Sequence, residues 1–275
     1  MANDDQIKFW NGPAGDKWAE LQTAMDRNLR DVTAAILPFA AVKQGERVLD
    51  IGCGAGETTC LLSDAVGAKG HITGLDISKP MLAVARKRGP TNTDFVEADA
   101  SAQDFGADYD LVFSRFGVMF FDDPQGAFAN IRTALKPGGR IAFVCWRTPQ
   151  ENQWVALPVG AARTILPPQP PADPLAPGPF AFADPERIKD ILSEAGYRDT
   201  RIEKLDGHMD LGKTLDEAAF LMTNIGPVTR MLMDAQADET TQVRVLAAVR
   251  EALNAAMTPE GVRPVLACWM VSARN

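Results

Sequence analysis

Short apolar runs bounded by turn residues alternate with longer amphipathic stretches along most of this chain. Residues 46–51 (ERVLDI), 70–76 (GHITGLD), 93–98 (TDFVEA), 109–113 (YDLVF) and 140–146 (RIAFVCW) each predict a strand. Between them lie helical patterns. TTCLLSDAV follows the first strand. Ser78 caps a second helix, with Met81, Leu82 and Ala85 at helical spacing and Gly89 as its stop. Asp123 and Pro124 open a third, whose stripe is Ala127, Phe128, Ile131, Ala134 and Leu135. Strand–helix alternation of this kind predicts βαβ units and a parallel sheet with right-handed crossovers.

The flanks are less regular. Residues 16–37 predict one helix, with Leu21, Met25, Leu29, Val32 and Ile36 on one face. Residues 166–179 hold seven prolines, which predicts a stiff, irregular connection over 148–183. Asp184-Pro185 opens a further helix that stops at Gly196, and 200–211 and 264–273 predict the last two strands. Between those strands 213–258 reads as helical, with a Thr214/Glu217 capping box and a break at Gly226-Pro227. The expected organisation is an N-terminal helical segment over 1–40, a core over 41–147, the connection over 148–183, and 184–275 as the rest of the sheet carrying a helical cap.

Composition narrows the function classes. With 275 residues, 46% hydrophobic and 23% charged, the chain can bury a core without metals or disulfides. A net charge of −8 argues against a nucleic-acid partner. No run of about 18 apolar residues occurs, so no membrane span is expected, and the N-terminus lacks an apolar signal region. The four cysteines have no CxxC spacing and the two histidines, His71 and His208, lie far apart, so no metal site is expected. Absence of a disulfide framework fits a cytoplasmic protein. Oligomeric state stays open, a homodimer included.

The sharpest chemical signal is VLDIGCGAGET over 48–58: a strand ending in Asp50, then Gly52, Gly54 and Gly56, then a helix N-terminus. Glycines let a ligand approach the backbone, and the free N–H groups of the helix face the crevice. Dinucleotide-binding turns use G-x-G-x-x-G. Here the spacing is G-x-G-x-G after an acid that would repel a pyrophosphate and attract an ammonium group. Asp76, 24 residues beyond Gly52, is placed to take two ribose hydroxyls, and Ile77 to lie against a purine. Asp99 and Ala100 follow the third strand and are placed to meet an adenine edge. Ser114, Arg115 and Phe116 end the fourth strand.

Taken in order, VLDIGCGAG, GLDIS, ADA, YDLVFSRF and LKPGGR resemble the class I S-adenosylmethionine-dependent methyltransferases over roughly 40–150. The tail from FADPERIKDILSEAGY onward is similar to the small-molecule branch related to the ubiquinone and menaquinone C-methyltransferases. The resemblance implies a Rossmann-like α/β fold, with a seven-stranded, mostly parallel sheet whose last strand is antiparallel. It implies S-adenosyl-L-methionine as cofactor and a small-molecule methyl acceptor. Asp50, Gly52, Gly54 and Gly56 would hold the methionine end, Asp76 and Ile77 the ribose and adenine, and Asp99 and Ala100 the adenine amino edge. The Ser114 backbone and Phe116 would close the side near the acceptor.

Acceptor chemistry is less marked in the sequence. His208, on the ligand side of the sixth strand, is the candidate base, set against a structural histidine. Arg115 is a candidate for an anionic acceptor, set against a salt bridge over a loop. Phe116 and Trp146 are candidate substrate-binding residues, and Trp10, Trp18, Phe120, Phe121 and Trp154 either join them or pack the core. Met209, Met222, Met231 and Met233 suit a deformable lid or a helical core. Two other functions stay open: a cofactor-binding regulator without turnover, and a nicotinamide-dependent oxidoreductase, which Asp50 and the turn spacing disfavour.

Overall fold

The structure is a computed structural model that describes residues 3–168 and 173–275. Residues 1–2 of the expected N-terminal segment, and Pro170 and Pro171 of the proline-rich stretch, lie outside the described residues. The alternating pattern folds as an α/β protein. Four N-terminal helices, α1 (Asp4–Trp10), α2 (Pro13–Glu20), α3 (Gln22–Asn28) and α4 (Arg30–Ala40), lead into β1 (Arg47–Ile51). Then follow α5 (Glu57–Val66), β2 (His71–Asp76), α6 (Lys79–Arg88), β3 (Thr93–Glu97), β4 (Tyr109–Arg115), α7 (Pro124–Arg132) and β5 (Leu135–Trp146). After α8 (Gln153–Arg163) and α9 (Pro185–Glu194), β6 (Arg198–His208) leads to α10 (Leu215–Asn224), α11 (Pro227–Asp234) and α12 (Glu239–Leu253). A small hairpin, β7 (Met257–Thr258) with β8 (Gly261–Val262), precedes β9 (Val265–Arg274).

The seven main strands run in the order β3-β2-β1-β4-β5-β9-β6. Pairs among β1 to β5 are parallel, and β9 is antiparallel to both β5 and β6, as expected. The chain walks outward from β1 in one direction and restarts at β4 in the other. This reversal opens a crevice at the carboxyl ends of β1 and β4, where open α/β sheets bind ligands. The central strands are covered on both faces, so Val48, Leu49 and Ile51, Leu111 to Phe113 and Ile141 to Cys145 are all buried without alternation.

Three expectations change. The helix predicted over 16–37 is three helices that turn at Leu21 and Leu29, whose backbones leave the helical region (φ −94°, ψ 13° and φ −98°, ψ 9°). The apolar stripe holds, with Met25, Leu29, Val32 and Ile36 buried. Packing bends the chain along the sheet, and neither Gly nor Pro marks the bends in the sequence. The connection over 148–183 is not irregular throughout, because α8 lies inside it. Pro158 sits within that helix and removes one backbone donor, and burial of Trp154, Val155, Pro158 and Ala162 on one face offsets the loss. Finally, β5 begins at Leu135 and not at residue 140. Lys136–Gly139 bulges out between the Tyr109–Leu135 and Leu111–Arg140 pairs, with Gly138 at φ 78°.

Helices α10 and α12 pack on each other, and α8 and α11 join them, so 213–258 is largely helical and packs with the helix of the preceding connection. Among the described residues no helix is long and apolar enough to cross a membrane.

Candidate active site

The turn after β1 is built from backbone that only glycine adopts easily. Gly52, Gly54 and Gly56 have φ of 66°, 55° and 84°. A Cβ on Gly52 would stand 2.6 Å from Gly117 Cα, so the loop after β1 and the loop after β4 touch at two glycines. Ser114 fastens the same junction: its hydroxyl donates to the Ile51 carbonyl (2.7 Å) and accepts from Gly117 N–H (3.1 Å). Gly56 faces the other way. A Cβ there would meet Ala85 and Phe95, so this glycine serves packing of α5 against α6 and not the crevice.

Asp50 is fully buried beneath the turn. Its Oδ2 accepts from the hydroxyls of Thr58 and Thr59, both at 2.7 Å. Oδ1 is buried and has no hydrogen-bond partner. Burial pushes the carboxyl up to about 6, against the lowering effect of the two threonines and of the Arg115 charge. A buried acceptor left open in this way fits a cationic ligand group, and the ammonium of S-adenosyl-L-methionine has that chemistry. The two threonines follow directly on the glycine turn, and their role could have been read from VLDIGCGAGETT once Asp50 was known to be buried.

Asp76 ends β2 and faces the same turn. Oδ2 accepts from Gly54 N–H and Oδ1 from Ser78 N–H, both at 2.8 Å. Acceptor capacity remains on the carboxylate, so it both shapes the glycine turn and can still accept from a hydroxyl group. Burial raises its pKa, against three backbone N–H donors that lower it. Cys53, within the turn, is buried, and burial pushes its thiol well above the ordinary range, which suits a small inert spacer.

Asp99 sits after β3. It accepts from Ser101 N–H (2.9 Å) and, at both oxygens, from the side-chain amide of Asn3 (3.0 Å each). Ala100 is buried, and its carbonyl accepts from the Asn130 side chain (2.9 Å). Ile77 is half-buried, with its carbonyl bonded to Asn11 (2.8 Å). No signal in the sequence pointed to Asn3 or Asn11, two asparagines in a polar N-terminal stretch.

Arg115 is engaged rather than open. Its guanidinium bonds the Thr33 hydroxyl (2.5 Å) and pairs with Glu57, so the salt-bridge alternative is the one realised. Phe116 holds a left-handed backbone (φ 66°), unusual for a bulky residue. Its ring stacks on Trp146 at 4.1 Å between centroids. Trp154 follows at 4.7 Å from Trp146, and Phe180 at 6.3 Å from Trp154. An aromatic file thus runs from the end of β4 to Trp154 of α8 and on to Phe180. Trp10, Trp18 and Phe120 form a second cluster, at 5.5 and 5.9 Å, beside β2. Phe121 packs on Phe128 in the core.

His208 is not brought to this site. It is exposed on β6, the edge strand, and β4, β5 and β9 lie between it and β1. His71 pairs with Asp94 at 2.9 Å near the opposite end of the strands. Among the described residues no group of three or more His, Cys, Asp or Glu could hold a metal ion.

A family model described as a methyltransferase domain matches residues 48–139. The chain is 39% identical over 129 residues to an aklanonic acid methyltransferase of Streptomyces sp. (strain C5), covering 45% of this chain and 56% of that one. It therefore spans little more than half of that relative. It is 30% identical over 179 residues to a demethylmenaquinone methyltransferase of Staphylococcus epidermidis, covering 60% of this chain and 73% of that one. Its fold is shared with a phosphoethanolamine N-methyltransferase 2 of Haemonchus contortus solved with S-adenosyl-L-methionine: TM-score 0.59, 18% identity, 99% of this chain and 59% of that one. The sheet order, the acid-led glycine turn and these relatives agree: this chain belongs to the class I S-adenosyl-L-methionine-dependent methyltransferases.

Proposed function

We propose that this methyltransferase acts on a small, mainly apolar acceptor carrying a flat ring. The observation that carries the proposal is the aromatic file Phe116–Trp146–Trp154–Phe180, which starts beside the glycine turn and continues into α8. Phe116, the half-buried end of the file with Trp146 and Trp154 buried behind it, favours a planar partner through offset stacking. Two of the relatives are by name methyltransferases of aklanonic acid and of demethylmenaquinone, which points in the same direction.

The chain's own residues divide the work. Asp50 and the turn at Gly52 and Gly54 would hold the amino-acid end of the cofactor, Asp76 and Ile77 the ribose and adenine, and Asp99 with Ala100 the adenine edge. When bound, the cofactor would supply a sulfonium-activated methyl, whose transfer in line to the acceptor's nucleophile releases S-adenosylhomocysteine. What remains for the protein is alignment and exclusion of water, which the cap over α8 and α10 to α12 and the aromatic file supply. No fixed acid–base group is required unless the acceptor must lose a proton.

The test is transfer of radiolabelled methyl to two acceptor panels, hydroxylated naphthalenes and quinols against phosphoethanolamine and simple amines. Labelling of ring compounds alone supports the proposal. Labelling of the amines alone overturns the acceptor class. Heat protection by S-adenosylhomocysteine with no transfer to any acceptor would favour a regulator without turnover.

A further inference from the structure

The N-terminal arm, residues 3–12, is pinned across the carboxyl ends of β2 and β3, where the nucleoside of the cofactor is proposed to lie. At one end Asn3 is buried, 4% exposed. Its amide donates to both oxygens of Asp99, its N–H donates to Asp122 Oδ2 (2.8 Å), and its Oδ1 accepts from Asp122 N–H (3.1 Å). At the other end Asn11 donates to the Ile77 carbonyl (2.8 Å) and accepts from Lys79 N–H (2.9 Å), while Ser78 donates to the Trp10 carbonyl (2.8 Å). Between these pins α1 buries none of its residues, and Ile7 and Phe9 are exposed. The apolar hold of the arm is Trp10, packed on Trp18 and Phe120, whereas its Asn3 end is held by polar contacts alone and can be released while Trp10 stays docked.

The amide of Asn3 offers Asp99 the same group that an adenine would offer, an sp² NH₂ donor. Both cannot use the carboxylate in the same way at once. We propose that the arm is an internal competitor of the cofactor: Asn3 occupies the adenine-recognising carboxylate in the empty protein, and cofactor binding requires the arm to release it. This rests on the assignment of Asp99 to adenine. The apparent affinity is then the intrinsic one reduced by the fraction of molecules whose arm is undocked.

The decisive variant is Asn3→Gly in the full chain. Glycine keeps the positive φ of 66° without strain and removes only the carboxamide. Calorimetry with S-adenosylhomocysteine should show binding about tenfold tighter than wild type, the effect of removing charge-assisted hydrogen bonds from the competing state. Hydrogen exchange of the wild-type arm should speed up on ligand addition. Unchanged or weaker binding by Asn3→Gly overturns the proposal, and so does slower exchange of the arm, which would mean that it closes over the ligand. The adenine assignment is tested separately by Asp99→Ala made in the Asn3→Gly background, where the contact with the Asn3 amide is already gone. A loss of affinity there of about fivefold or more supports the assignment, and unchanged affinity overturns it.

Discussion

The Phe116 ring lies flat on the Trp146 indole, with the two planes 7° apart and the centroids 4.1 Å apart. Phe116 reaches that position only because its backbone takes a left-handed conformation at the end of β4. A bulky side chain there costs about 1–3 kcal/mol, and the stack offsets about 0.5–1.5 kcal/mol of it. Phe116 is half-buried, whereas Trp146 is buried, so Phe116 is the member of the pair open to a ligand.

Phe116→Ala is therefore expected to leave S-adenosylhomocysteine affinity within about twofold and to lower kcat/KM for a ring-bearing acceptor by about tenfold, the loss of one stacking partner. Steady-state kinetics beside calorimetry separates the two. Equal losses in both would mean that Phe116 supports the cofactor rather than the acceptor.

Asp50 predicts a trade between stability and binding. Its carboxyl is pushed up to about 6 in the folded protein, above the unfolded value. Folded protein therefore holds this proton more tightly, and stability falls as pH rises from about 4 to about 6, by up to about 3 kcal/mol from this group. Asp50→Asn should raise the melting temperature of the ligand-free protein at pH 7.5. Wild-type affinity for S-adenosylhomocysteine should rise between pH 5 and pH 7 as Asp50 ionises, and Asp50→Asn should weaken binding and flatten that rise. A wild-type affinity that does not change over that range would remove Asp50 as the partner of the ligand's ammonium.

Asp76 carries two duties. Asp76→Ala leaves the N–H groups of Gly54 and Ser78 without their acceptor and removes the proposed ribose partner. Calorimetry should show S-adenosylhomocysteine binding weakened by about 1–3 kcal/mol, with a lower melting temperature as the turn loosens. A lower melting temperature with full affinity would confine Asp76 to the turn.

His208 was the base that the sequence pattern singled out, and its exposed place on the edge strand predicts no part in the reaction. His208→Gln should keep kcat within about twofold across pH 6–8, since exposed substitutions away from a site change little. A pH profile that loses its lower limb in this variant would restore the residue to the mechanism.

What the sequence determined by itself is the local grammar of the sheet and the shape of the cofactor turn. Strand–helix alternation implies parallel strands, an acid followed by three spaced glycines implies a sharp turn with open N–H groups, and both depend on residues close together in the chain. Asp50 and Asp76 were legible for that reason, and the structure adds their partners Thr58, Thr59, Gly54 and Ser78. The bends at Leu21 and Leu29, the helix through Pro158 and the pairing of Arg115 with Glu57 were decided by burial and charge contacts between distant segments. So was the docking of Asn3 on Asp99, 96 residues away. Periodicity and spacing report only what neighbouring residues prefer. Which arginine is consumed by a salt bridge, which histidine is left on an edge and which asparagine reaches the crevice follow from how the finished sheet brings remote parts of the chain together.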